Sequence, residues 1–329
     1  MNPKSSQPAV EANPSAIHPL WPDASLIGVA LIWGINLPLM KIGLEQMDRF
    51  TFNAIRLVIS AFALGAFAWY ERRRSTKPQI GIHRRELWTY SLIVSALYQL
   101  AFLLGVSRTS AGNAALIIAT VPMWTAILSR LFLGERLRML AWGGLLIALI
   151  GTITVALQTG DATIKVSYLL GNLLMLLAAL LWAGGTVYSR KLLHRISPMQ
   201  LSSTAAFLAL PVHILTALMV FPGGEVELRS ANLWLILFYS GVLSTGLALP
   251  MWNFGVRQAG SAHAAIIQNM VPLVAIIAAW AIRGEVITGP QIVGGILILS
   301  GIITMRFTRR AEPTPIPPPA QTIRQGDSL

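Results

Sequence analysis

The sequence predicts an all-α polytopic membrane protein with ten transmembrane helices, arranged as two inverted five-helix repeats. Three observations lead to this prediction. Of the 329 residues, 54% are hydrophobic and 12% are charged, whereas soluble proteins carry about 25% charged residues. Apolar runs of about 20 residues, the length that crosses a ~30 Å hydrocarbon layer, recur along the chain. Finally, residues 105–154 recur 150 positions later with about fifteen identities in about fifty positions, and such a period indicates a duplicated fold.

The chain divides into two tails and ten apolar segments. Residues 1–23 form a polar tail without the positively charged and apolar pattern of a secretory signal. The ten segments lie near residues 24–44, 51–70, 87–106, 111–131, 140–157, 167–189, 198–221, 232–254, 261–282 and 288–307. The first repeat is predicted to span residues 24–157 and the second residues 158–307. Residues 308–329 form a Pro-rich tail with too little apolar surface to fold alone.

The two repeats are predicted to lie antiparallel across the membrane. Leu31–Lys41 aligns with Leu180–Arg190 at a shift of 149, so the matched halves begin with the first and sixth segments. Each half has five segments, and an odd number of crossings reverses the direction of the second half. Inverted repeats of this kind are typical of secondary transporters, which bind solute near the middle of the membrane and rock between two states.

Lys and Arg residues collect in alternate connections between the segments. The second, fourth and sixth connections and the C-terminal tail carry most of them: Arg72, Arg73, Arg74, Lys77, Arg84, Arg85, Arg136, Arg138, Arg190, Lys191, Arg195, Arg306, Arg309 and Arg310. Because cytoplasmic loops are rich in Lys and Arg, both termini are predicted to be cytoplasmic in a bacterial inner membrane. This pattern also explains the net charge of +12 without a nucleic-acid partner. The absence of cysteine from the sequence excludes disulfides and Cys-ligated metal sites.

Short motifs of the repeats carry a family resemblance. The first segment contains Trp33–Gly34, and the fourth and ninth segments share a pattern of Val-Pro followed by Gly-Glu. With ten segments and the five-plus-five inversion, the chain resembles the drug/metabolite transporter superfamily, EamA type, over about residues 24–307. Within it, the chain is most similar to the YddG-like amino-acid exporters. The resemblance implies transport of small molecules, commonly the export of amino acids or other metabolites.

Polar and aromatic residues near the middle of the segments are candidates for a solute site, because polar groups inside hydrocarbon must find partners or line a cavity. Ten residues meet this description: Trp33, Asn36, Tyr98, Gln99, Phe102, Trp182, Tyr239, Trp252, Gln268 and Asn269. Gln268 and Asn269 stand where the first repeat has Ile118 and Ala119, an asymmetry that a symmetric structural role does not require. The alternative is structural, since tryptophans anchor helices and amides hydrogen-bond across them.

Two motifs occur once in each repeat. Pro122 and Pro272 each free a backbone carbonyl and bend a helix, so they are candidate hinges for gating. The alternative is a static bend that widens a central cavity. The pairs Gly134–Glu135 and Gly284–Glu285 predict a left-handed glycine that ends one helix and a glutamate at the positive start of the next. We interpret these pairs as structural.

The charged residues restrict the mechanism. No Asp or Glu lies deep in any predicted segment, so tight coupling to protons or sodium is not expected. Lys41 and its repeat mate Arg190 could hold a phosphorylated solute, but at helix ends such side chains usually extend to water. His213 and His263 are interpreted as core histidines, and with no paired carboxylate they predict no metal site. No cofactor is expected.

Together these features predict an exporter of small metabolites, with aromatic and other neutral amino acids as the favoured substrates. Aromatic rings attract both apolar rings and cationic amino groups, and amides can hold the ends of a zwitterion. The expected mechanism is facilitated transport by alternating access through a central cavity between the repeats. The alternatives are a drug, nucleotide-type or phosphorylated-metabolite carrier, or a proton-coupled antiporter. The sequence contains no HExxH or G-x-S-x-G motif of an enzyme. The expected partners are the solute and the lipid bilayer, for a monomer or weak dimer.

Overall fold

The computed structural model describes residues 20–74, 82–109, 111–135, 137–157, 166–220 and 230–309. Most of the two predicted tails lies outside these ranges, and so do residues 75–81 of the second connection, with Lys77 among them. Within them the chain is helical and contains no β-strand. The first helix begins at Trp21, three residues before the predicted segment. The predicted all-α class is confirmed.

Ten apolar spans make up the described fold, and we number them in chain order. They are α1 (Trp21–Leu44), α2 (Arg49–Arg74), α3 (Arg84–Val106), α4 (Ala111–Ala119 and Val121–Leu133), α5 (Met139–Ala156), α6 (Leu169–Leu192), α7 (Pro198–Val220), α8 (Ala231–Ala259), α9 (Ser261–Gln268 and Met270–Arg283) and α10 (Gly289–Arg309). Nine of these described spans are long and apolar enough to cross a membrane, and the apolar part of α10, Gly289–Thr304, is shorter.

The first helix of each five-helix half packs against helices of the other half. Helix α1 packs against α8 and α9 of the second half, and its repeat mate α6 packs in the same way against α3 and α4 of the first half. Helices α5 and α10 pack along their length, with Gly151 and Gly294 at the crossing. A Cβ atom on Gly151 would lie 2.5 Å from the Gly294 carbonyl oxygen, so only glycine permits this approach. Each half thus contributes its first helix to the other half. This exchange of first helices places the interface between the repeats at the centre of the molecule.

Four irregular helical segments occur at repeat-related positions. Helices α3 and α8 contain π-helical turns at Ser91–Leu97 and Tyr239–Leu247. Helix α4 breaks at Thr120 and α9 breaks at Asn269, each shortly before the matched proline. Proline lacks the N–H that would continue the helical ladder, which explains the breaks. The π-helical turns, which are frequent at functional sites, were not predicted from the sequence.

Candidate functional site

A cavity of about 420 Å³ lies between the two repeats. Helices from both halves line it, namely α1, α3, α4 and α5 of the first half and α6, α9 and α10 of the second. The cavity reaches the surface beside Lys41, Arg283 and Glu285, and 61% of the Lys41 side chain is exposed. We call this surface the open end. The walls are largely apolar, so the cavity suits a small solute with an apolar part.

Five of the residues predicted from the sequence line this cavity. Phe102 projects from α3, and Gln268 and Asn269 lie at the break of α9. The two candidate hinges, Pro122 and Pro272, also form part of the wall. The breaks in α4 and α9 therefore lie at the wall of this cavity, which places their polar backbone where a cavity can solvate it.

Four predicted aromatic residues form one cluster beside the cavity. The ring centroid of Trp182 lies 5.0 Å from that of Tyr98, 5.5 Å from that of Trp33 and 5.9 Å from that of Trp252. The Nε1–H of Trp182 donates to Oε1 of Gln268 at 3.4 Å, which joins the cluster to the cavity wall. Separations of this size allow favourable aromatic packing. We call these four residues the aromatic cluster.

The three remaining candidates contact other helices and do not line the described cavity. The hydroxyl of Tyr239 donates to the Ile32 carbonyl at 3.2 Å. Asn36 is 5% exposed, and its Oδ1 accepts from the Ser240 hydroxyl at 2.6 Å. The amide oxygen of Gln99 accepts from a guanidinium on α2. In this conformation Asn36 and Tyr239 serve as hydrogen-bonding contacts between α1 and α8, which is the structural alternative.

The guanidinium beside Gln99 belongs to Arg56, which the sequence reasoning missed. Arg56 is 8% exposed, and its Nη2 donates to Gln99 Oε1 at 3.1 Å. The signal was present in the sequence, because Arg56 is a basic residue inside the apolar run 51–70. Charged residues within membrane spans are rare and are by default candidates for function.

At the end of the molecule opposite the open end, Glu135 joins helices of the two repeats. Its carboxylate accepts from the backbone N–H groups of Ser261 and Ala262 at 3.3 and 3.2 Å, at the start of α9. The Arg190 side chain lies 3.6 Å from the same carboxylate and donates to the Val256 carbonyl at 2.6 Å. These contacts join the ends of α4, α6, α8 and α9. We call this arrangement the closed end.

The repeat-equivalent residues at the open end make different contacts. Glu285 pairs with Lys41 at 3.1 Å and with Arg283 at 3.0 Å. The hydrogen bond from Lys41, supported by one from Arg283, lowers the pKa of Glu285 below its usual value, so the carboxylate stays ionised at neutral pH. Arg283 also pairs with Glu45 at 3.2 Å. Both predicted basic candidates, Lys41 and Arg190, are thus paired with the glutamate that follows a left-handed glycine in the opposite repeat.

Two interpretations from the sequence need correction. Gly134 and Gly284 do end their helices with φ of +67° and +68°, but neither Glu135 nor Glu285 stabilises the start of the next helix. Each reaches the other repeat, because the exchanged first helices bring the halves together there.

His263 was interpreted as having no paired carboxylate, and this is wrong. Its Nε2 lies 2.8 Å from Oδ1 of Asp23. The two side chains are 8% and 15% exposed. The pairing joins the starts of α1 and α9, which are 240 residues apart in sequence, so no local pattern could reveal it. In the described residues no group of three or more His, Cys, Asp or Glu residues could hold a metal ion.

Comparison with known protein families now assigns the fold. The model of the EamA-like transporter family matches residues 20–157 and again residues 169–307, one match for each repeat. The chain belongs to the EamA-like transporter family. The predicted ten-helix architecture of two repeats and the family resemblance are therefore confirmed.

Similar proteins are transporters from several bacteria. An uncharacterized transporter, YoaV, of Bacillus subtilis is 26% identical over 291 residues, covering 87% of this chain and 97% of YoaV. A probable amino-acid metabolite efflux pump of Salmonella typhimurium is 25% identical over 297 residues, covering 87% and 95% of the two chains. A probable terminal-alkyne amino-acid exporter of Streptantibioticus cattleyicolor is 24% identical, covering 85% and 91%.

A solved crystal structure shares the fold of this EamA-like transporter. The two superpose with a TM-score of 0.74 at 19% sequence identity, over 88% of this chain and 99% of the other. Family and fold together make the protein a multi-pass membrane transporter of small molecules. Members of a transporter family move solutes and are not enzymes. The ten candidate solute residues, the two hinges and the boundaries of the repeats stay predictions.

Proposed function

We propose that this EamA-like transporter exports amino acids, aromatic and other neutral ones among them, from the bacterial cytoplasm by alternating access. The observation that best supports this proposal is that the two repeat-related ends of the molecule differ, since one is closed and the other is open. At the closed end Glu135 contacts the start of α9. At the open end the cavity separates its mate Glu285 from the start of α4, and both Glu285 and Ala115 line the gap.

The same symmetry defines the second state of the cycle. In that state Glu285 accepts from the backbone at positions 111 and 112, the mates of Ser261 and Ala262, while Glu135 releases α9. The positive end of each helix dipole attracts the carboxylate. The second state is then related to the first by exchanging the two repeats. Both states use the same type of contact, between a glutamate and the start of a helix in the other repeat. Inverted-repeat transporters exchange their open and closed ends in this way.

The aromatic cluster and the relatives support the choice of substrate. Trp33, Tyr98, Trp182 and Trp252 pack together beside the cavity, and aromatic rings attract both apolar rings and ammonium groups. The Salmonella relative is named a probable amino-acid metabolite efflux pump, and the Streptantibioticus relative a probable terminal-alkyne amino-acid exporter. The distribution of Lys and Arg supports cytoplasmic termini, and in that orientation the open end faces outwards.

Efflux from proteoliposomes tests the proposed function. We expect purified protein to release preloaded labelled phenylalanine or leucine well above the rate of protein-free liposomes. The release should persist at equal pH and equal sodium on both sides, because no carboxylate lies deep within the described spans. If no amino acid leaves these liposomes faster than it leaves protein-free liposomes, the proposed function is contradicted.

A proton-coupled antiporter is the second candidate, and the Asp23–His263 pair favours it. This pair is nearly buried near the closed end, and Asp and His are residue types that form proton relays in coupled transporters. Under this alternative a pH gradient accelerates efflux, and Asp23→Asn abolishes the acceleration while leaving efflux at equal pH intact. The facilitator predicts no acceleration in either protein.

A further inference from the structure

Helix α2 carries a buried cation whose hydrogen-bond partners are all neutral. The Nε and Nη2 atoms of Arg56 donate to Oδ1 of Asn53 at 3.0 and 2.7 Å. Nη2 also donates to Oε1 of Gln99 at 3.1 Å, and Nη1 donates to Oγ1 of Thr245 at 3.3 Å. The guanidinium therefore joins α2, α3 and α8 between the two repeats.

No carboxylate balances this charge in the described ranges. Each ion pair found there involves other residues, near the helix ends. A guanidinium is a permanent cation, and burying a charge without a counter-ion is costly. Neutral acceptors compensate only part of this cost. The repeat mate of Arg56 at a shift of 149 is Ala205, so the cation is not required by the symmetric fold.

A chain of hydrogen bonds orients the guanidinium in advance. Nε2 of His213 lies 2.6 Å from the Ser95 carbonyl and so donates to it. The other ring nitrogen, Nδ1, is then free to accept from Nδ2 of Asn53 at 3.4 Å. This contact turns Oδ1 of Asn53 towards Arg56. Fixed partners of this kind hold a binding group in one orientation, as sites built for a ligand require.

Hydrogen bonds link the guanidinium to Gln99 and, through Thr245 and Ser240, to Asn36, which directly precedes Leu37 of the cavity wall. Gln99 directly follows Tyr98 of the aromatic cluster and lies one helical turn before Phe102, which lines the cavity. On the other side Thr245 Oγ1 donates to the Ser240 carbonyl at 3.0 Å, and the Ser240 hydroxyl donates to Asn36. Arg56 thus contacts one of the polar candidates that the sequence predicted, Gln99, and is linked by a chain of hydrogen bonds to a second, Asn36.

We infer that Arg56 is the receptor for the carboxylate of the transported solute. This inference rests on the proposed function and specifies its substrate class as compact carboxylates, in preference to amides and cationic amines. A carboxylate that enters from the cavity replaces Gln99 and Thr245 as acceptor and forms a paired, two-bond contact with the guanidinium. The ring or alkyl part of the solute then lies against the aromatic cluster. Bound solute supplies the counter-ion that the described fold lacks.

Matched acid and amide ligands test this inference. Binding of phenylalanine, phenylalaninamide and phenethylamine, and of leucine and leucinamide, is measured in the purified full chain by thermal stabilisation and tryptophan fluorescence. We expect wild-type protein to bind each acid at least about tenfold more tightly than its amide. Arg56→Gln should lose this preference, and Arg56→Lys should keep part of it. Arg49→Gln, on the exposed start of the same helix, should behave as wild type.

Measuring ligand binding and liposome efflux on the same proteins tests the role of Arg56 and the proposed function separately. Equal binding of acids and amides by wild-type protein overturns the role of Arg56, even if amino acids are exported. An acid preference that survives in Arg56→Gln overturns it as well. An Arg56-dependent acid preference without efflux supports the inference and contradicts the proposed function. The wild-type comparison of ligands needs no variant, so it decides the question even if Arg56→Gln fails to fold.

Discussion

Replacing Glu135 by glutamine is expected to open the closed end and to raise the reactivity of a cysteine at Ala265 about tenfold. Ala265 lies one turn inside the start of α9 and is fully buried. Glutamine removes the charge that holds Ser261 and Ala262. Hydrogen bonds to a charged group stabilise by about 1.5–3 kcal/mol, and about 1.4 kcal/mol changes a population tenfold. A membrane-impermeant maleimide measures the reaction from the cytoplasmic side.

The repeat mate supplies the matched control for this variant. Glu285→Gln changes the same residue type at the open end, where Glu285 pairs with Lys41 and Arg283, and it should leave the cysteine at Ala265 protected. General unfolding would also raise the reactivity of a cysteine at Ala115, and Glu135→Gln should not do so. Equal reactivity of Ala265→Cys in both glutamate variants would show that Glu135 does not hold the closed end.

Trp182→Ala is expected to reduce the initial rate of phenylalanine efflux at least about tenfold per inserted protein. Trp182 is the member of the aromatic cluster that contacts the rings of Trp33, Tyr98 and Trp252 and also Gln268. Aromatic pairs contribute about 0.5–1.5 kcal/mol each beyond their buried area, so losing three pairs disrupts the aromatic cluster that we propose as part of the solute site. Liposome efflux, normalised to inserted protein, measures the effect.

Two further variants separate solute contact from loss of folding. A buried Trp→Ala change costs about 3–5 kcal/mol of stability, so the thermal stability of Trp182→Ala must be measured beside its rate. Trp182→Phe keeps an aromatic ring and should transport within about threefold of wild type. Trp88→Ala removes a tryptophan that is 56% exposed and should leave efflux unchanged. Wild-type efflux by a folded Trp182→Ala protein would remove the aromatic cluster from the site.

The sequence predicted the features that depend on repetition and hydropathy. Composition and apolar run length predicted the membrane class, and matched residues such as Pro122 and Pro272 located the breaks in α4 and α9 within a few residues. The aromatic candidates were predicted because large rings at mid-span positions are visible in one dimension. Trp33, Tyr98, Trp182 and Trp252 then came together because the exchanged first helices bring α1 and α6 to the centre.

The features that were missed depend on contacts between distant elements. The Asp23–His263 pair joins residues 240 positions apart, and Glu135 reaches across to the other repeat. The π-helical turns of α3 and α8 could not be predicted from the sequence. One extra residue in a helical turn changes neither the amino-acid composition of the segment nor its hydropathy. Arg56 was visible as a cation in an apolar run, but its neutral surroundings were visible only in the fold.

The proposed mechanism requires that a single solute path is open at one end and shut at its symmetry-related end. The chain contains no cysteine, so single cysteines at the repeat mates Ala115 and Ala265 can be labelled without background. We predict that a membrane-impermeant maleimide reacts readily with Ala115→Cys from the outer face. Ala265→Cys should react at least about tenfold more slowly from either face, since a 1.4 kcal/mol preference for one state gives this ratio. Equal labelling of the two cysteines, or protection of Ala115→Cys from the outer face, would contradict the account.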